Sequence, residues 1–237
     1  MNAITSIGCI EGCALWRVDL DAPDALPWQT LLSAGERARA ARFVFERDRR
    51  RYLAAHGALR HLLGLRAGTD GQALQFAEGP FGKPFLRDRP GIAFNLSHSQ
   101  AIGLVAIGEG AIGVDVEVLR PMDDMPALAA AHFTDAEQQA LASAEAARQA
   151  RVFLEIWTRK EGCLKALGAG LSIDTRTIHV GAAATAGASA PIDAGAHGAL
   201  SASSFDLGAE AIACVARVAG LPAASTEAQC CTAEACA

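Results

Sequence analysis

Lysine is almost missing from this chain. The 237 residues carry 18 arginines but only three lysines, Lys83, Lys160 and Lys165. An ammonium is a compact point charge with movable protons, and a guanidinium does not replace it. Long apolar runs are missing as well. None reaches the roughly 18 residues of a membrane-crossing helix, so no membrane partner is expected. The N-terminus lacks a basic start, an apolar block and a small-residue cleavage site, which predicts no signal peptide. No Cys-x-x-Cys pair is matched by a second one among the seven cysteines (Cys9, Cys13, Cys163, Cys214, Cys230, Cys231, Cys236). Reduced thiols and a cytoplasmic location are the expectation. The Cys230, Cys231 and Cys236 tail reads as a frayed end or as metal ligands. A net charge of −5 argues against a general nucleic-acid binder.

What is present is a globular chain, 51% hydrophobic and 20% charged, long enough for one large domain or two modest ones. Its charge is uneven. Nine arginines fall between Arg37 and Arg66, against Glu46 and Asp48 within that span and Glu36 just before it. Such a segment is either a solvated helix face or a grip for a phosphorylated small molecule, since guanidinium forks match phosphate.

Periodicity gives the organisation. Leu15–Leu20 reads as a strand. Ser33–Leu65 reads as helix, opened by the Ser33/Glu36 capping box, with a break near Asp48, and closed by Gly64 and Gly68. Gly79–Leu86 (GPFGKPFL) is a turn holding Lys83 between Gly82 and Pro84. Ile92–Leu96 is a strand leading into Ser97, His98 and Ser99. Ile102–Ile107 and Ile112–Val118, joined by GEGA, carry the pattern of a β-hairpin. Thr134–Glu137 is a second capping box, followed by helix, a break near Ser143–Ala147 and a helix from Arg148 to Leu167. Ile173–Val180 is expected to begin a final sheet and Gly181–Ala199 to be a loop. Phe205–Leu207 and Ala211–Val218 read as closing strands. There is no clear internal repeat, but two similar α+β units fit the order of elements.

In a strand over Ile112–Val118, Ile112, Val114 and Val116 share one face, and Asp115 and Glu117 the other. On the helix Glu155–Gly168, Lys160 falls amid the apolar face of Phe153, Trp157, Leu164 and Leu167. Glu161 and Lys165 lie one turn apart on the adjacent flank. Asp115, Glu117 and Glu161 are three carboxylates on two rigid elements. They are either ordinary surface acids or ligands of one divalent cation, with Mg²⁺ the candidate beside a substrate phosphate. Lys83, Ser97 and His98 are phosphate-competent groups at a turn and a strand end.

FGKP, FNLSHS, IGVDVE and WTRKEGCLKALGAGLS occur in that order, and together they resemble the signature segments of phosphopantetheinyl transferases of the Sfp-like, two-half type. The resemblance runs from about Ser33 to Leu171. It implies an α+β fold of two halves related by a pseudo-twofold, each a small, mostly antiparallel sheet on a long helix. Residues 1–110 and 111–221 would form the halves, and 222–237 a tail. It also implies a monomer that moves the 4′-phosphopantetheine arm of coenzyme A to a serine of an apo acyl or peptidyl carrier protein. By this resemblance Asp115, Glu117 and Glu161 hold Mg²⁺, and Glu161 and Lys165 serve catalysis. Lys83, beside Pro84, together with Ser97 and His98, meets the phosphates of coenzyme A. Arg39 and Arg51, with Arg42 as neighbour, grip the 3′-phosphate. Two departures stand out. Gly162 follows Glu161 where the family often has Ala or Ser, and Glu36 stands where some relatives carry Lys. A metal-dependent phosphohydrolase and a non-catalytic coenzyme A or carrier-protein binding module remain as alternative readings.

Overall fold

The computed structural model describes residues 3–181 and 189–219. The tail 222–237, with Cys230, Cys231 and Cys236, lies outside the described residues, as does 182–188 of the expected loop.

Strands β1 (Ile4–Ile10) and β2 (Cys13–Asp19) pair antiparallel across Glu11 and Gly12. Both turn residues have positive φ, 53° and 68°, which suits a tight hairpin whose twist matches its strands. The stretch expected as one helix from Ser33 forms two, α1 (Ala34–Ala40) and α2 (Glu46–Ala67). The Ser33/Glu36 box caps α1 as the sequence indicates. The chain then turns back so that Phe43 lies against Tyr52, ring centroids 5.3 Å apart, and the break falls before Asp48. Gly68, at φ 63°, closes α2, while Gly64 lies inside it.

A short hairpin, β3 (Phe76–Glu78) and β4 (Pro84–Leu86), precedes β5 (Ala93–Ser99) and β6 (Ile102–Gly108). Strand β7 (Ile112–Val118) is followed by α3 (Met125–His132), α4 (Asp135–Ser143) and α5 (Ala146–Leu167). Strands β8 (Ser189–Asp193), β9 (Ala199–Leu207) and β10 (Ala211–Val218) complete the described fold.

Beside the two-stranded β3-β4 sheet, two four-stranded antiparallel sheets result, in the orders β1-β2-β6-β5 and β7-β10-β9-β8. Each half therefore has one four-stranded sheet and one 22-residue helix, α2 or α5. Trp16, Val18, Val105 and Ile107 pack outward against Leu59 and Leu63 of α2. Ile212, Cys214 and Ala216 pack against Ile156 and Cys163 of α5. Between the sheets Leu15, Leu104, Ile112, Val114, Val116 and Val215 form a third core.

Four expectations are corrected. β6 and β7 are not a hairpin. β6 pairs with β2 and β5, β7 pairs with β10, and Gly108–Ala111 carries the chain from one sheet to the other. Every residue of β6 is buried, one face toward α2 and the other toward the second sheet, so its apolar run did not name its partner. Residues 173–180 form one 3-10 turn, Thr175–Thr177, and extended chain rather than strand. The expected loop 181–199 contains β8. Among the cysteines, Cys13, Cys163 and Cys214 are free and buried, whereas Cys9 is disulfide-bonded, against the expectation of reduced thiols throughout. No helix among the described residues is long and apolar enough to cross a membrane.

Candidate active site

β5 and β7 are the facing edge strands of the two sheets, and side chains join them where backbone bonds would otherwise run. Asn95 Oδ1 accepts from the Val114 amide at 2.8 Å. Ser97 Oγ donates to Asp115 Oδ1 at 2.8 Å. Ser99 Oγ donates to Glu117 Oε2 at 2.7 Å and accepts from the Val118 amide at 3.2 Å. Alternate residues of one strand thus fasten consecutive groups of the other, and two serines orient two carboxylates.

Asp115 and Glu117 point away from the inter-sheet core, as the alternation requires, toward α5. Gly113 lies on that same face. Its missing side chain lets β7 meet the α5 backbone at Gly162, Lys165 and Ala166. This approach brings the Glu161 and Lys165 flank of the helix to the carboxylate strand. Lys165 Nζ donates to Asp115 Oδ1 at 2.6 Å and to Ser97 Oγ at 3.1 Å. Glu161 lies near enough to Asp115, Lys165 and Glu117 to feel their charges. Burial, with Asp115 and Glu117 adding to it, raises the pKa of Glu161. Burial likewise raises Asp115, against the pull of Lys165, and raises Glu117, against the Ser99 bond.

The chemistry of these donors fits a hard cation. Three carboxylates are the oxygen ligands Mg²⁺ takes. Asp115 Oδ2 is buried and has no hydrogen-bond partner, so one oxygen of the site is unclaimed. Among the described residues no three acidic, His or Cys side chains are drawn into a ready metal cage. Instead Lys165 holds Asp115 Oδ1.

The basic residues run outward from this cluster. His98 lies beside Ser97, and its pKa is lowered by desolvation and then by the positive surroundings of His56, Lys165 and Arg51. His56 stacks on Tyr52 with centroids 4.1 Å apart. The Arg39 guanidinium lies 5.9 Å from the Tyr52 ring centroid, and Arg42 is close enough to oppose the burial-raised pKa of that ring. Arg51 forks onto Asp21, with bonds of 2.8 and 2.5 Å. Arg39, Arg42 and Arg51 therefore lie on the side of α1 and α2 that leads by way of Tyr52, His56 and His98 to the carboxylates. Sequence reasoning did not single out His56, and it placed Ser99 beside Ser97 and His98 as an anion-facing hydroxyl rather than as a partner of Glu117. For Ser99 the signal is its match to Ser97 at the same spacing as Asp115 and Glu117.

Glu36 is structural. It closes the capping box and pairs with Arg60 at 2.7 Å. Pro84 begins β4, opposite Glu78. Lys160, the lysine on the apolar face, is neither exposed nor free. It is 3% exposed, pairs with buried Glu137 at 2.8 Å and donates to the carbonyls of Thr175 and Ile178. Lys83 donates to the carbonyls of Ile112 at 2.8 Å and Ala166 at 3.1 Å. Each of the three lysines thus commits its ammonium to acceptors inside the fold.

Paired acids on an edge strand, an acid and a lysine on a facing helix, and a basic face beyond them are groups whose chemistry can meet an anionic, phosphate-bearing molecule. The chain belongs to the 4′-phosphopantetheinyl transferase superfamily, whose model matches residues 111–215. A model of the 4′-phosphopantetheinyl transferase N-terminal region matches residues 23–109. The chain is 40% identical over 164 residues to the 4′-phosphopantetheinyl transferase HetI of a Nostoc species, covering 67% of this chain and 69% of that protein. It is 35% identical to the 4′-phosphopantetheinyl transferase psf-1 of Bacillus pumilus, over 60% of each. To Sfp of Bacillus subtilis it is 27% identical, over 62% of this chain and 64% of that one. The matches thus span about two-thirds of these relatives.

Proposed function

We propose that this protein transfers the 4′-phosphopantetheine arm of coenzyme A to a serine of an apo acyl or peptidyl carrier protein and releases 3′,5′-ADP. It is a transferase of the holo-[acyl-carrier-protein] synthase kind, acting as a cytoplasmic monomer with Mg²⁺. The observation that carries the reading is the Asp115, Glu117, Glu161 and Lys165 cluster with its unclaimed Asp115 oxygen, set against the Ser97–Ser99 strand.

Asp115, Glu117 and Glu161 would hold the ion. When bound, Mg²⁺ neutralises charge on the coenzyme A pyrophosphate. The chain's own residues do the rest. Arg39, Arg42 and Arg51 receive the 3′-phosphate, with His98 and Ser97 nearer the pyrophosphate. Glu161 takes the proton from the carrier serine. Lys165, held by Asp115 and Ser97, meets the charge that develops on the leaving phosphate. Positioning and charge neutralisation of this kind supply most of the catalysis in phosphoryl transfers.

The test is to incubate the protein with coenzyme A, Mg²⁺ and a panel of apo carrier proteins and to weigh the carriers. A carrier gaining the phosphopantetheine arm supports the reading. Release of phosphopantetheine to water with every carrier unmodified would make the protein a hydrolase instead.

A further inference from the structure

The third lysine has a place that phosphate binding does not explain. Lys83 closes the loop of the β3–β4 hairpin immediately before β4, in the first half of the chain, and its side chain crosses into the second half. Its stem runs along Gly168, the left-handed residue that ends α5. A Cβ there would lie 3.1 Å from Lys83 Cδ. The ammonium then bridges the carbonyls of Ala166 and Ile112. Ala166 lies in the last turn of α5, where carbonyls have no partner within the helix and a cation is favoured. Ile112 is the first residue of β7. One ammonium therefore ties the C-terminal turn of the helix to the start of the carboxylate strand. Ala166 follows Lys165 directly, and Ile112 precedes Gly113, where β7 touches that same turn.

Resting on the proposed transferase reading, we infer that Lys83 is a positioning residue. It fixes Lys165 and Glu161 of α5 in register with Asp115 and Glu117 of β7, and it acts through the two backbone carbonyls rather than as a ligand of a coenzyme A phosphate. Two of its ammonium hydrogens are spent on the carbonyls. An arginine would not substitute, because a planar guanidinium does not fit a gap sized for one small head group. For a phosphate ligand the reverse holds, since arginine binds phosphate at least as well.

Lys83→Arg therefore separates the two roles, and Lys83→Met serves as a second variant without charge. In Lys83→Arg, with carrier and Mg²⁺ saturating, kcat is expected to fall tenfold to a hundredfold while the KM for coenzyme A stays within about twofold. Small misplacements of catalytic groups produce losses of that size. Without any ligand, backbone amides of residues 166–170 should exchange with deuterium at least tenfold faster in either variant than in the unaltered protein. A KM for coenzyme A raised tenfold with kcat kept, or an arginine variant as active as the original, would overturn the inference, as would unchanged exchange at the end of α5. Should the unaltered protein transfer nothing, the proposed function falls, and the ligand-free exchange still decides whether Lys83 fastens the helix end.

Discussion

Gly113 of β7 faces Gly162 of α5, and a Cβ on Gly113 would fall inside contact distance of the Gly162 carbonyl, the Ala166 amide and the Lys165 carbonyl carbon. All three are backbone atoms, and none can swing aside. Gly162 is different. A Cβ there would meet Cys214 Sγ at 3.5 Å and Ala216 Cβ at 3.6 Å, ordinary packing distances. The glycine required for close approach is therefore the one on the strand.

The two glycines should respond oppositely to alanine. Gly113→Ala forces strand and helix apart, at a cost of about 1–3 kcal/mol or more, and turnover should fall with it. Gly162→Ala removes a mid-helix glycine and should stabilise by up to about 1 kcal/mol. Thermal unfolding of the two variants beside the parent checks both signs.

Lys160 and Glu137 test a second internal commitment. Burial works against charge on Lys160 and Glu137 supports it, while Lys160 in turn holds the buried Glu137 carboxyl below its usual range. Removing one partner strands the other charge, so Lys160→Met should cost about 3–5 kcal/mol. Lys160→Met with Glu137→Gln should recover part of that loss. Urea midpoints for the two single variants and the double variant measure the coupling.

Much of this was legible in the chain. Both capping boxes formed where Ser33/Glu36 and Thr134/Glu137 stand, because a cap is a local contact between residues three apart. The D-x-E alternation and the Glu161/Lys165 flank were legible for the same reason. The partner of β6 was not, because a strand buried on both faces carries no mark of its neighbour. Nor was the state of residues 173–180 (IDTRTIHV), a stretch rich in β-branched residues that suggests strand. Its backbone groups are met by side chains instead. Lys160 binds the Thr175 and Ile178 carbonyls, Arg159 binds the Val180 carbonyl, and Glu137 accepts the Val180 amide. No local pattern announces a ladder replaced by side chains. The partners of Lys83 were hidden likewise, lying 29 and 83 residues away in sequence.

Ser99 offers a test of the seam between the halves. Ser99→Ala leaves both Glu117 and the Val118 amide without the hydroxyl they share. A loss of about 1–3 kcal/mol is expected. Turnover should fall as well, because Glu117 then loses the hydrogen bond that orients it. Denaturant unfolding and steady-state rates on the same preparation read the two effects.

Glu36 should set an acid limit on stability. Burial alone would raise its pKa, but the His56 ring 3.7 Å away, the bonds from Ser33 and the charge of Arg60 hold it at about 2, below the ordinary 4.5. A depressed carboxylate stabilises the fold fully above the unfolded value and loses that contribution as pH falls toward the folded one. The window is therefore 4.5 down to about 2, and the contribution is on the order of 3 kcal/mol. The stability gap between the parent and Glu36→Gln should be widest near neutrality and should narrow through this window.

The most direct measurement is the mass of an apo carrier protein after incubation with coenzyme A, Mg²⁺ and Glu161→Gln, beside the same reaction with the unaltered chain. Carrier modified by the unaltered protein and left unmodified by a folded Glu161→Gln is the expected result. Transfer by Glu161→Gln at the parent rate would contradict the account, since the third carboxylate would then have no part in the chemistry.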